Sequence, residues 1–397
     1  MFKKLGPGIL VAAAFIGPGT VTACTLAGVG FGYSLLWAMI LSILATMVLQ
    51  EMASRVGIVA KQGLAEVMRG QFNNKAVRML ILAVVLLAIV GGNIAYEGGN
   101  IGGGTLGLQA LLGERHTAYF PWVITAIAFA LLFIGSYKLL ERVFVALVGL
   151  MSLAFLITAV LTGPELMAMI EGMFLPKITD ANLLTVIALV GTTVVPYNLF
   201  LHAALVNEKW EKTSDLKYAL WDTLISIALG GVVSMAIIIA AAAIPATEVN
   251  SALDLAKALE PLFGSSSRYF MGIGLFAAGI TSAITAPLAA AYVANSCFGW
   301  KASIKDWRFR AVWMLVLFAG LFSLSFDFKP IEIIKMAQIA NGTLLPVVAI
   351  LLLVVVNKAG VMKGYGNTKL QNLIGGLIVL FVLFLGARTI MKVLGAF

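Results

Sequence analysis

The sequence predicts an all-α integral membrane protein of about eleven transmembrane helices. Three observations predict it. Hydrophobic residues make up 61% of the chain and charged residues only 11%, whereas a soluble domain carries about 25% charged residues. Many apolar runs reach the roughly 20 residues that a helix needs to cross the hydrocarbon core. Those runs are also apolar on every face: Leu351 to Val356 and Ile374 to Leu385 hold no charge and almost no polar side chain. A transmembrane β-barrel would alternate apolar and polar residues in short strands. Backbone groups facing lipid must be bonded internally, so runs of this kind form helices.

Taken in order, the apolar runs and the basic residues between them place the spans. The first covers about 7–29, after Lys3 and Lys4, and the second about 33–54, ended by Arg55. Lys61, Arg69, Lys75 and Arg78 separate it from the third, at 79–101. Arg115 precedes the fourth, at 118–137, and Lys138 and Arg142 precede the fifth, at 143–163. Lys177 leads to the sixth, at 183–206, and Lys209, Lys212 and Lys217 to the seventh, at 218–245. Lys257 and Arg268 come before the eighth, at 269–298, and Lys301, Lys305, Arg308 and Arg310 before the ninth, at 311–326. Lys329 opens the tenth, at 333–356, and Lys358, Lys363 and Lys369 the eleventh, at 371–394. The opening Met1-Phe2-Lys3-Lys4 is too short for a signal peptide's n-region with a clean cleavage site after it, and Gly17-Pro18-Gly19 interrupts the first apolar segment, which therefore reads as mature structure.

Basic residues favour the cytoplasmic side of a membrane. With the N-terminus in the cytoplasm, 19 of the 27 Lys and Arg fall inside, against 8 outside. This bias predicts a plasma (inner) membrane protein with its N-terminus cytoplasmic and its C-terminus outside. It also accounts for the net charge of +9 without a nucleic-acid partner. The longest loops are about twenty residues, so the chain reads as a single transmembrane domain over 1–397. Repeat one covers about 7–163, repeat two about 183–356, and an extra helix about 371–394. Cys24 and Cys297 lie in or beside apolar segments and form no metal motif, so they read as packing residues rather than a disulfide.

Two spans are broken at matching places. The first contains Gly17-Pro18-Gly19-Thr20 and the sixth contains Pro196-Tyr197-Asn198, both in mid-membrane. Proline removes a donor and clashes with the preceding turn, and glycine lets the chain unwind. One break opens a block of five helices and the other opens the next. Paired interruptions in two halves point to a transporter's binding site; ordinary proline kinks are the plainer alternative.

Unwinding exposes carbonyls that favour cations and amides that favour anions, so side chains must choose the sign. Here they are neutral: Thr20, Thr192, Thr193, Tyr197 and Asn198. Thr20 and Asn198 have a second reading, as N-caps of the outgoing half-helices. The deepest acid is Glu97, in a glycine-rich stretch where Asn93, Glu97 and Asn100 share i, i+4, i+7 spacing and hence one helix face. Charged groups inside membranes are costly and functional, so Glu97 is expected to relay a proton or ion, with Asn93 beside it. His202, one turn after Asn198, is a second candidate relay. Gln338 and Asn341 precede Pro346 on the tenth span and are further candidates for substrate binding. Thr281, Ser282 and Thr285 on the eighth read as glue between helices, and Glu51, Glu141 and Asp222 as anchors near helix ends. No phosphate loop, zinc motif or nucleophile elbow is present. Gly102-Gly103-Gly104 follows no strand and is not a dinucleotide loop. Neither an enzyme, a cofactor nor an obligate protein partner is expected.

Several stretches carry a family resemblance. Leu5-Gly6-Pro7-Gly8 through Gly17-Pro18-Gly19-Thr20, then Ala27-Gly28 and Gly32-Tyr33-Ser34-Leu35-Leu36-Trp37, resemble the start of the natural resistance-associated macrophage protein (NRAMP) family. So do Gly191-Thr192-Thr193-Val194-Val195-Pro196-Tyr197-Asn198 continuing to His202, Ala277-Ala278-Gly279, and Gln338. The resemblance implies a LeuT-type 5+5 inverted repeat with broken helices 1 and 6. In typical members the first break reads Asp-Pro-Gly-Asn, the sixth helix carries Met-Pro-His, and the third carries Asp-x-x-Glu. Here those positions hold Gly17 and Thr20, Val195 and Tyr197, and Ile94 with Glu97.

These losses remove the charge that a dehydrated divalent cation needs in a low-dielectric site, and the soft ligand that helps to select transition metals. The resemblance therefore implies secondary active transport of a divalent metal cation at an altered, hydrated-ion site, open to proton coupling through Glu97 or His202. The expected substrate-binding set is Gly17, Pro18, Gly19, Thr20, Thr192, Val195, Pro196, Tyr197, Asn198, Gln338 and Asn341. One alternative is a transporter of a small anion or polar organic solute, such as bicarbonate, a carboxylate or an amino acid, held at the half-helix N-termini. Another is a sensor on a transporter fold. The partners expected are a small inorganic ion or polar solute and the lipid bilayer.

Overall fold

The computed structural model describes residues 16–71, 74–135, 138–210, 212–244, 249–326 and 328–393, and every regular element among them is helical. The first part of the first predicted span, with Lys3 and Lys4, and the side chain of Glu141 lie outside the described residues. Nine helical segments among the described residues are long and apolar enough to cross a membrane. The other two predicted spans are α1 (Pro18–Phe31), which begins near the edge of the described residues, and α15 (Trp307–Ser323), which has 17 residues.

The second span is α2 (Leu36–Ala60), followed by the short α3 (Leu64–Gly70). The third is longer than expected: α4 (Lys75–Leu86) passes through a π-helical turn, Leu87–Gly91, into α5 (Gly92–Leu112). The sequence places its end at Ile101, before three glycines. The helix continues because those glycines are packing positions. Gly104 lies against Ile124 and against the backbone of Gly279, so helix–helix contact outweighs the low helix propensity of glycine.

The fourth and fifth spans are α6 (Phe120–Ile134) and α7 (Lys138–Leu161), with α8 (Leu166–Phe174) after them. The sixth is split into α9 (Leu183–Thr193) and α10 (Pro196–Lys209). The seventh is α11 (Leu216–Ala242), followed by the short α12 (Ala252–Lys257) and α13 (Glu260–Phe263). The eighth is α14 (Ser267–Phe298). After α15 comes the tenth, α16 (Pro330–Val356), then α17 (Ala359–Met362) and α18 (Lys369–Val393).

Because the helices are apolar all round, packing decides which of them are central. The α9–α10 pair is the most enclosed of the candidate spans. It rests on α2 and α16, while α1 packs against α11, α9 and α16. α5 lies along α14 and also meets α15 and α16. α6 and α18 instead expose large apolar groups such as Trp122, Leu377 and Leu380. Glu51 works as the expected anchor: it accepts two hydrogen bonds, of 2.8 and 2.9 Å, from Arg55. The same guanidinium donates to Tyr365 O at 2.8 Å and to Asn367 Oδ1 at 2.6 Å, which ties α2 to the segment before α18. Both cysteines are free and buried.

Candidate functional site

The second break is narrower than the sequence suggests, and at the first the outgoing helix starts earlier than it suggests. At the first, Gly17 is extended (φ −101°, ψ −175°) and α1 begins at once with Pro18. At the second, Val194 (φ −94°, ψ 73°) and Val195 (φ −77°, ψ 119°) leave the helix, and α10 begins with Pro196. The residue before a proline is driven out of helical geometry, and proline at the first helical position is pre-organised for the turn that follows. Pro18-Gly19-Thr20 and Pro196-Tyr197-Asn198 are therefore first turns, not unwound segments. The caps are Gly17 and Val195, so Thr20 and Asn198 are not N-caps.

These first turns meet. The Thr20 and Thr192 hydroxyls are hydrogen-bonded at 2.8 Å, linking α1 to the last turn of α9. Gln338 on α16 closes the site from the side: a Cβ on Gly19 would overlap the Gln338 amide, and a Cβ on Gly191 would overlap its carbonyl. Pro18 in turn seats against Gly103 of α5, where a Cβ would strike the proline ring. Thr193 is turned away. Its hydroxyl donates to Leu189 O at 2.8 Å and lies 3.6 Å from Met39 Sδ.

Glu97 is fully buried. One carboxyl oxygen accepts from Asn100 Nδ2 at 3.1 Å, and the other, Oε1, has no partner. Gly320 of α15 packs directly on its side chain. Asn93 shares the helix but not the partner: its Nδ2 donates to Ala286 O of α14 at 2.8 Å. Tyr96, next to Glu97, was not singled out by sequence reasoning. Its ring stands edge-on to Tyr197 with centroids 5.5 Å apart, and it also neighbours Gln338. A large aromatic beside a deep acid was the signal available.

His202 is fully buried, and its Nδ1 lies 2.8 Å from Gln50 Oε1 of α2. The other ring nitrogen, Nε2, is buried without a partner. Gln50 was also missed; a lone amide inside an apolar run was its only trace. Thr281 and Thr285 do not glue helices together. Each donates to a carbonyl of its own helix, Thr281 to Ala277 O and Ala278 O and Thr285 to Thr281 O. A hydroxyl can satisfy itself in this way at i−4 without a neighbour.

Around the breaks, then, stand buried polar atoms without hydrogen bonds: Glu97 Oε1, Asn198 Oδ1, Gln338 Oε1, Asn341 Nδ2 and the Tyr197 hydroxyl. Buried polar groups are normally paired, and an exception calls for a water or an ion. Among the described residues no cluster of three or more His, Cys, Asp or Glu could hold a metal.

Only part of each helix start could serve an anion, through the N–H groups of Gly19 and Tyr197. Pro18 and Pro196 have no N–H. The Thr20 N–H is bonded to Gly17 O at 3.1 Å and the Asn198 N–H to Val195 O at 3.0 Å. The inbound end offers more to a cation. α9 closes with the Val194 N–H on Val190 O, and Pro196 has no N–H to give Thr192 O.

Over residues 8–392 the chain matches the family described as natural resistance-associated macrophage protein-like. It is 27% identical over 413 residues to the "Divalent metal cation transporter MntH" of Yersinia pestis, covering 98% of this chain and 95% of that protein. It is 28% identical over 400 residues to the protein of the same name from Yersinia enterocolitica, covering 98% and 95%. Its fold is similar to the crystal structure of the Eremococcus coleocola manganese transporter bound to an aromatic bis-isothiourea compound, with a TM-score of 0.79 at 21% identity, covering 98% of this chain and 86% of that one. It is also similar to MhsT in complex with L-phenylalanine, with a TM-score of 0.62 at 15% identity, covering 96% and 98%.

Proposed function

The chain belongs to the natural resistance-associated macrophage protein-like family of membrane proteins, and from that premise we propose that it is a secondary transporter of a divalent cation that keeps much of its water. The observation that carries this reading is the set of buried acceptor oxygens without donors at the two breaks: Glu97 Oε1, Asn198 Oδ1 and Gln338 Oε1. A cation, or the protons of its water shell, satisfies acceptors of this kind. The named relatives are divalent metal cation transporters, which fits the same sign of charge. With proline at the first position and the Thr20 and Asn198 amides back-bonded, α1 and α10 offer an anion fewer N–H groups than an ordinary helix start, chiefly those of Gly19 and Tyr197.

The site differs from a transition-metal site in its donors. Among the described residues they are hydroxyls and amides together with the Glu97 carboxyl, and the side chains of residues 17–20 and 194–198 include no thiolate, thioether or imidazole; His202 stands one turn further along α10. Hard oxygen donors suit Mg²⁺, which gives up its waters reluctantly. Glu97, with Asn93 on its helix, and His202, held by Gln50, are the groups positioned to relay a proton. The N-terminus is cytoplasmic and the C-terminus outside, in a plasma membrane, on the bias of the basic residues.

Flux into proteoliposomes of the purified protein tests the reading, with Mg²⁺, Mn²⁺, bicarbonate and amino acids offered in turn. Uptake of Mg²⁺ in preference to Mn²⁺ is expected. Uptake of bicarbonate or an amino acid, with no cation uptake, replaces this reading with the anion or solute carrier.

A further inference from the structure

Two tyrosines fill the space between the sixth-span break and the deepest acid. Tyr96 comes from α5 and Tyr197 from the first turn of α10, and each is 1% exposed. Their rings meet at 65° with centroids 5.5 Å apart, a stable edge-to-face contact that holds both rings stiffly. Tyr96 also neighbours the Gln338 amide, and Glu97 lies within electrostatic reach of both rings. Gln338 in turn lies on Gly19 of the first break. The pair is thus one wall of the space where the cargo would sit.

The Tyr197 hydroxyl is the unusual part. It is buried and makes no hydrogen bond of good geometry, although the Tyr96 hydroxyl is its neighbour. Leaving a buried hydroxyl unpaired is costly, and phenylalanine would fill the same volume without that cost. A ring that only packs has no use for the oxygen.

We infer that the Tyr96–Tyr197 pair determines specificity, with the Tyr197 hydroxyl contacting a water of the cation's hydration shell rather than the bare ion. A hydroxyl both donates and accepts, so it pairs with a bound water in either direction. It carries no charge with which to replace that water, and so the wall favours an ion that retains its shell. This inference rests on the cation reading proposed above.

The test compares wild type with Tyr197→Phe, Tyr96→Phe and the double variant, using Mg²⁺ and Mn²⁺ flux in proteoliposomes and thermal unfolding of the purified proteins. For Tyr197→Phe the KM for Mg²⁺ should rise roughly three- to tenfold, the loss of one hydrogen bond. Its turnover should stay within about twofold, and its KM for Mn²⁺ should change less. Its Tm should be equal to or above that of wild type, because no bond is lost in the empty protein. Tyr96→Phe should shift the Mg²⁺ KM in the same direction. An unchanged KM ratio in both single variants and in the double overturns the inference and leaves the cation reading standing, as does a lowered Tm with unchanged KM, the mark of a structural hydrogen bond. A wild-type protein that moves neither Mg²⁺ nor Mn²⁺ overturns the cation reading itself, and the inference with it.

Discussion

The Thr20 and Thr192 hydroxyls are hydrogen-bonded at 2.8 Å across 172 residues of sequence, joining the start of α1 to the end of α9. Both residues are almost fully buried. The bond therefore holds the two breaks at a fixed distance.

Thr192→Val keeps the shape of the side chain and removes its hydroxyl. The variant should be less stable, by about 1 to 2 kcal/mol, because a buried polar partner is lost. The double variant Thr20→Val, Thr192→Val should lose less than the two single variants combined. Thermal unfolding of all four proteins in one detergent measures the coupling; strictly additive losses mean that the bond does not hold the breaks.

Mn²⁺ should bind weakly or not at all, since Gly17 and Val195 stand where the family resemblance places a carboxylate and a thioether. Titration calorimetry on the purified protein reads this directly, and micromolar Mn²⁺ affinity contradicts it. Gly17→Asp should then raise Mn²⁺ affinity by tenfold or more on the order of one charge-assisted contact. The backbone at residue 17 (φ −101°) accepts a side chain without strain.

Gly19 and Gly103 separate binding from stability. A Cβ at residue 19 meets the end of the Gln338 side chain, which can rotate away. Gly19→Ala should therefore cost little stability but displace Gln338 and weaken cargo uptake severalfold. A Cβ at residue 103 meets the Pro18 ring, which cannot rotate. Gly103→Ala should lower Tm clearly, as overpacking by a methyl group costs about 1 to 3 kcal/mol. Equal effects of the two substitutions on Tm and on flux would show that the two contacts are alike.

Glu97→Gln should leave the protein folded, because glutamine can still accept from Asn100 Nδ2 and keeps the shape that packs against Gly320. It should abolish transport or remove its pH dependence, since an amide cannot carry the proton. The control is a monodisperse variant with unchanged thermal stability. Wild-type rate together with a wild-type pH profile would make Glu97 a packing residue.

What the sequence determined by itself is what neighbouring residues control. Apolar runs of membrane length had no alternative to helix, so the spans from α2 to α18 were readable, with ends displaced by a few residues except in the third, which runs on to Leu112 instead of ending at Ile101. Proline at 18 and 196 marked both breaks, because a missing N–H acts within one turn. Glycine misled where its role was contact: Gly102 to Gly104 read as an end and are instead the seat of α14 and of Pro18. The second break also read as wider than it is, and α1 as starting later than it does, since proline starts a helix as readily as it stops one. Tertiary structure alone decided the partners. That Thr20 meets Thr192, that Tyr96 faces Tyr197, and that Gln50 holds His202 depends on α1, α2, α5, α9 and α10 converging from distant parts of the chain. No local pattern encodes such meetings, because a helix that is apolar on every face does not announce which face its neighbour will take.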